Sequence, residues 1–243
     1  MLYPRLLDAT HVIVLLSGCF AGTIYGALNL LIVEPYLDDA INIENQQLFS
    51  TGEEIDGPQF WVEYYEYRSW QKGGEVLAGA ILGTSIGSLF GIVYALSKKS
   101  LPSGNNIGKT VILAGLMWFT LFVIPFLKYP ANPPTVGDGE TVVLRGILYL
   151  TLIAISGFMA IGFYQIFKRV KAKNRILPII GYGILMTLVF FVMPENPDEI
   201  STSMELVNNF RVVAFLTGTI FWFTLALFLG VFWQKTNPDL SNT

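Results

Sequence analysis

Apolar and polar residues alternate along this chain in long blocks rather than at the short periods of a soluble helix or strand. Six apolar runs occupy about 11–33, 76–97, 110–127, 143–167, 176–193 and 210–233. Each is close to the length, roughly 20 residues, that an α-helix needs to cross hydrocarbon. The pattern predicts an all-α integral membrane protein of six transmembrane helices, forming a single membrane domain over 1–243. Pro125 near the end of the third run predicts a kink or an early exit there. In the first run Gly18, Gly22 and Gly26 recur every fourth residue, and Gly79, Gly83, Gly87 and Gly91 do so in the second. That spacing puts each set on one helix face, where missing side chains let another backbone approach. Glycine-faced helices 1 and 2 are therefore expected to pack against protein, not only lipid.

Composition sharpens this picture. Of 243 residues, 53% are hydrophobic and 14% charged, against roughly 25% charged in average soluble domains. The net charge of −3 supplies no basic footprint for nucleic acid. One cysteine, Cys19, forms no internal disulfide, and one histidine, His11, forms no imidazole cluster. Metal chemistry in this chain uses oxygen ligands, or borrows nitrogen and sulfur from a partner.

The distribution of Lys and Arg orients the spans. Arg5, then Lys98, Lys99 and Lys109, then Lys168, Arg169, Lys171, Lys173 and Arg175, then Lys235 fall in the N-terminus, the second and fourth connections and the C-terminus. Both termini are thus expected in the cytoplasm of a prokaryotic cell, with a multi-pass chain in the plasma membrane. Only Asp8 and Asp239 of the 18 acidic residues lie on that side.

Two short motifs fail on context. Leu16-Ser17-Gly18-Cys19 has the look of a lipoprotein cleavage site, but the apolar run continues to Val33, past the length of a signal segment. Ser103 to Thr110 resembles a phosphate-binding loop, yet only three residues separate Gly104 from Gly108-Lys109 where four are required, and no strand precedes it. No nucleotide site is assigned. Asp138 is an expected N-cap for the fourth span, and Thr202 with Glu205 fits a capping box before the sixth. Asp138, Glu140 and Glu205 are expected to cap or to pair with Arg145 and Arg211.

The outer face holds the candidate chemistry. Spans one, three and five leave the membrane through Val33-Glu34-Pro35, Lys128-Tyr129-Pro130 and Met193-Pro194, which suggests three similar hairpins. Glu34 ends the first span beside Asn29, where a desolvated carboxylate needs a counter-charge or a bound cation. The connection over about 36–75 reads as an acidic, aromatic outer loop, with Asp38, Asp39 and Glu44 followed by six more acids and only Arg68 and Lys72 against them. Such a field concentrates cations, and hard oxygens suit divalent ions. Glu34, Asp38, Asn29 and Glu44 form the candidate metal entry site. The aromatic stretch Phe60 to Trp70 is expected along the membrane interface, where Trp and Tyr are favoured.

The segment Phe122 to Asp138, with its Lys128-Tyr129-Pro130-Ala131-Asn132-Pro133-Pro134 centre, followed by Glu140-Thr141 and Arg145, resembles the signature of the CbtA-type cobalt transporter subunits. Val33-Glu34-Pro35 after a glycine-spaced span, Phe210-Arg211 and Leu229-Gly230 extend the resemblance over most of the chain. Gly139 stands where that family commonly has proline. The resemblance implies a membrane subunit of a cobalt uptake system linked to vitamin B12 metabolism, paired with a small histidine-rich single-span partner that would supply imidazoles. Co²⁺ is then cargo, with no permanently bound cofactor. The competing expectation is an accessory or scaffold subunit of a larger membrane complex. An enzyme is not expected, because no nucleophile–base pair is present.

Overall fold

The computed structural model describes residues 3–134, 136–200 and 202–236, with side chains from Thr10 onward. Its helices are α1 (Tyr3–Leu28), α2 (Glu34–Thr51), α3 (Pro58–Ser97), α4 (Asn106–Trp118), α5 (Ile124–Lys128), α6 (Val142–Arg169), α7 (Ile176–Val192) and α8 (Met204–Thr236). Single wide π turns at Asn29–Val33 and Phe119–Val123 join α1 to α2 and α4 to α5. Six helical stretches are long and apolar enough to cross a membrane, and no strand occurs among the described residues. Their exposed leucines, isoleucines and phenylalanines, such as Leu77, Leu89, Leu150 and Phe158, form the kind of surface that lipid solvates.

The two π turns have one cause. In both, a proline follows two residues after the turn, in Val33-Glu34-Pro35 and Val123-Ile124-Pro125. Proline has no N–H to continue the ladder, so the Glu34 and Ile124 amides reach back five residues, to the Asn29 and Phe119 carbonyls. The helix widens instead of stopping. The Thr120 carbonyl, which Pro125 cannot satisfy, accepts the Ser156 hydroxyl of α6 at 2.6 Å, and Ser156 also bonds the Tyr182 hydroxyl of α7 at 2.7 Å.

Residues 36–75 are not the loop that their polarity suggests. Helix continues from Glu34 to Thr51, ends on Gly52 in the left-handed conformation (φ 77°), and restarts at Pro58 after extended Gly57. These are the ordinary stop and start residues of helices. Hydropathy changes at residue 76, but no breaker does: α3 runs through Gly73-Gly74 for 40 residues. At 1.5 Å per residue α3 is about 60 Å long, twice the hydrocarbon thickness. If its apolar half spans the bilayer, its N-terminal half stands clear of it. The α2 tip is tied to α3 by Phe49, whose ring lies 4.9 Å from Phe60 and 5.9 Å from Trp61. The aromatic stretch is thus helical and forms one arm of a helical hairpin.

α1 and α3 pack antiparallel with backbone on backbone. A Cβ at Gly22 would run into the Gly79 carbonyl, one at Gly18 into the Gly83 carbonyl, and one at Gly26 would stand 2.8 Å from the Glu75 carbonyl oxygen. α8 lies against this pair and against α4, and Phe90, Tyr94, Leu113, Leu225, Leu229 and Trp233 make the core between them. At the lysine-rich end Tyr94 donates to Asn106 at 2.8 Å and Lys98 lies 4.7 Å over the Trp233 ring. α6 leans on the second π turn, and α7 leans on α6.

Substituting Gly22 or Gly83 by Ala therefore lowers the thermal midpoint of the detergent-solubilised protein, with a cost of about 1–3 kcal/mol for an overpacked contact. Gly115→Ala, where an added methyl meets nothing within 4 Å, is the control and leaves the midpoint unchanged or raised.

Candidate functional site

The register of the glycine seam carries upward to the proline end of the bundle. There α2 presents Glu34 and Asp38 one turn apart, and α3 presents Arg68 and Lys72 one turn apart. Arg68 Nη2 contacts Glu34 Oε2 and lies 2.8 Å from Asp38 Oδ1. Lys72 Nζ lies 2.6 Å from Asp38 Oδ2 and 4.0 Å from Glu34 Oε2. The Arg68 and Glu34 side chains are 8% and 9% exposed, so each charge depends on the other for what water would otherwise supply. Arg68 Nη1 also donates to Gln71 at 2.8 Å.

The surroundings act on the carboxyls in opposite directions. Burial works to raise the Asp38 pKa, but hydrogen bonds from Lys72 and Arg68 outweigh it and hold the group below the ordinary carboxylate range. Burial likewise works to lower Arg68, and the bonds to Asp38 and Glu34 raise it instead. Glu75, the last residue before the apolar run of α3, is pushed up to about 7, first by burial and then by the Glu34 charge beside it. Its Oε2 is buried without a hydrogen-bond partner.

Of the four residues expected at an entry site, Glu34 and Asp38 are brought together. Asn29 opens the π turn, and its carbonyl accepts the Glu34 amide, but its side chain makes no hydrogen bond to the cluster. Glu44 is exposed and lies off the α2 face that carries Glu34, Asp38 and Asn45. Among the described residues no group of three or more His, Cys, Asp or Glu is arranged to hold a metal ion. Arg68, Lys72 and Glu75 were missed as members of the site. The spacing of four in both Glu34–Asp38 and Arg68–Lys72 was the available signal.

Two further arginines clamp the same end of the bundle. Arg145 Nε lies 2.8 Å from Asp198 Oδ2, an ion pair without hydrogen-bond alignment, and its Nη2 donates to the Asp138 carbonyl at 3.0 Å. Arg211 donates twice to Asn132 Oδ1, at 3.0 and 2.7 Å. The expected partners Glu140 and Glu205 are used by neither. Asp138 does accept the Glu140 amide at 2.9 Å, capping the 3₁₀ turn that leads into α6. The α8 cap is Ser203, which accepts the Glu205 amide at 3.2 Å, while the Thr202 hydroxyl is buried without a partner. Beneath these clamps a cavity of about 470 Å³ is lined by Tyr25, Tyr129, Asn132, Arg145, Tyr149 and Asn196, among others.

A protein-family model described as "Probable cobalt transporter subunit (CbtA)" matches residues 10–234, nearly the whole chain. No curated protein and no solved structure matches it.

Removing one member of the buried pair tests the cluster. Arg68→Gln strands the Glu34 carboxylate and destabilises the protein by about 3–5 kcal/mol, read from thermal or denaturant unfolding in detergent; Glu34→Gln with Arg68→Gln recovers most of that loss. Glu75 gives a pH signature. Its folded pKa is raised, so its contribution is most favourable below the ordinary carboxyl value of 4.5 and is lost as pH rises through about 7. The thermal midpoint of Glu75→Gln should therefore gain on that of the wild type between pH 5 and pH 8.

Proposed function

The chain belongs to the CbtA family of probable cobalt transporter subunits, and from that premise we propose that it is the multi-pass membrane subunit that admits Co²⁺ in a divalent-metal uptake system. The proline end faces outward and both termini face the cytoplasm, a reading supported by the excess of Lys and Arg in the opposite connections. A small, histidine-rich, single-span partner subunit supplies the nitrogen ligands that one His and one Cys do not.

The observation that carries the reading is Glu34, a 7% exposed carboxylate at the end of a span. Unpaired carboxylates there are costly, and a resident guanidinium lowers that cost while leaving an exchangeable counter-charge in place. In the proposed mechanism the acidic hairpin gathers the hydrated ion, and Glu34 and Asp38 become its first protein oxygens. Arg68 and Lys72 withdraw as it binds, and Asn29 and Glu44 contribute at the approach rather than at the cluster. The α1–α3 seam is closed by backbone contact and offers no lumen. The route inward is therefore assigned to the cavity beside Tyr25 and Tyr149, reached past the 129–134 segment that borders both it and the Glu34 cleft.

The accessory-subunit reading rests on a specific observation of its own. The cluster's own cations already neutralise Glu34 and Asp38, and the described residues hold no ready metal-ligand group. A chain that only docks in a larger membrane complex fits that as well.

Radiolabelled Co²⁺ uptake in a cobalt-import-deficient bacterial host separates the two. Saturable uptake that requires this chain, with or without the histidine-rich partner, supports transport, and Glu34→Gln should lower it at least tenfold in protein that is folded and inserted. Wild-type uptake by that variant removes Glu34 from the path. No uptake at all by folded wild-type protein leaves the accessory reading.

A further inference from the structure

Beyond the Glu34 cluster, α2 and α3 diverge and then meet again at Phe49 and Phe60, leaving a cleft of about 750 Å³ between them. Its walls are apolar and aromatic, with Leu37 and Ile41 on α2 facing Tyr64, Tyr67 and Trp70 on α3. Two of its lining residues carry buried donors that have no hydrogen-bond partner. Asn45, 6% exposed, has no partner for Nδ2, and Arg68, 7% exposed, has none for Nε. A buried donor left unpaired costs about 1–3 kcal/mol, so both atoms point to an occupant that brings acceptors.

The exposed surface of the hairpin that carries the cleft has the opposite character. Between Asp39 and Tyr67 the chain carries seven acidic residues and no Lys or Arg. All seven, Asp39, Glu44, Glu53, Glu54, Asp56, Glu63 and Glu66, are exposed. The nearest cations, Arg68 and Lys72, are spent inside the cluster, so the acidic field of the hairpin surface has no local compensation. Tyr67 and Trp70 are 58% and 74% exposed, a rigid aromatic surface of the kind that anchors protein interfaces.

We infer that the α2–α3 cleft is the docking site for a basic polypeptide segment of a partner protein. A polypeptide supplies main-chain carbonyls for Asn45 Nδ2 and Arg68 Nε, apolar side chains for Leu37, Ile41 and Tyr64, and Lys or Arg for the acidic surface of the hairpin. A phospholipid fits less well on two counts. Asn45 stands eleven residues beyond Glu34, about 16 Å further along the helix, past the depth of a headgroup, and seven carboxylates repel a phosphate. The inference rests on the reading of this chain as a subunit with a partner, but its test contains no metal and fails separately from uptake.

The test uses the full chain in phosphatidylcholine nanodiscs and two fluorescein-labelled synthetic amphipathic peptides, one of lysine and leucine and one with glutamate in place of lysine. Fluorescence anisotropy should show the lysine peptide binding at least tenfold more tightly, with empty nanodiscs binding neither. The combined Asp39→Asn, Glu44→Gln, Glu63→Gln and Glu66→Gln variant, which leaves the Glu34–Arg68 cluster intact, should weaken that binding at least tenfold. Asn45→Leu, judged folded by circular dichroism, should weaken it several-fold. Equal affinity for the two peptides overturns the proposal, as does full binding by the Asn45→Leu protein, which would reduce the effect to surface charge.

Discussion

The constraint on which most of this structure depends is the backbone-to-backbone contact between α1 and α3. Glycine on every fourth residue of both helices removes the side chains that normally hold helix axes 8–10 Å apart, and the contact admits no insertion. Lipid gives helices no hydrophobic reason to associate, so dispersion and close fit must do so. A seam this tight also fixes register, since sliding by one residue would drive a side chain such as Ala21, Thr23, Ala80 or Leu82 into the facing backbone. That register is what puts Glu34 level with Arg68 and Asp38 within reach of both Arg68 and Lys72. The ion cluster follows from the glycines: without a fixed register, two buried charges on separate helices would have no reliable partner.

The proline end shows one electrostatic solution used three times. Arg68, Arg145 and Arg211 each stand near the start of an even-numbered span, and each is held by an acceptor from a different segment: Glu34 and Asp38, Asp198, and Asn132. The three are not equal. Arg211 meets a neutral amide, whereas the carboxylates beside Arg68 raise its pKa. Only at Arg68 do two cations meet two carboxylates with a third, Glu75, alongside. That makes the α2–α3 corner the place where a change of charge, by an ion or a proton, has the most to rearrange.

How much of this could be read in the sequence follows the same physics. Six spans were legible because apolar length is a local property. Glu34 and Asp38 were legible because a carboxylate at the end of a span is an anomaly wherever it points. The helical hairpin over 34–75 was not, since polarity reports solvent and not helix: with Gly52 and Gly57-Pro58 as the only stop and start signals, the chain stays helical through polar residues once α1 and α3 fix its direction. Gly73-Gly74 argued for a break, at about 1 kcal/mol each against helix. The Arg68 and Lys72 pairs just before them and the Gly26 contact at Glu75 just after hold the helix together. Asp198 and Asn132 as arginine partners were invisible for a different reason, being 53 and 79 residues from Arg145 and Arg211, where only the fold decides proximity.

The prolines show where local rules yield to packing. Val-x-Pro occurs at the C-terminal end of the three odd spans, at Pro35, Pro125 and Pro194. The residue before a proline resists helical geometry, and at Met193 that preference wins: α7 stops at Val192, with Met193 extended. At Glu34 and Ile124 the helix persists, at the cost of a π turn. The difference lies in what each helix touches. α1 is locked to α3 and α8, and α4 to α8 with α6 against its π turn, so their axes must continue. α7 leans chiefly on α6, and Pro197 follows Pro194 too closely for a helix to resume. At Phe119–Val123 the widened turn frees the Thr120 carbonyl, and Ser156 with Tyr182 fills it, joining α4, α6 and α7 by a buried hydrogen-bond chain that a regular helix would have had no acceptor to form.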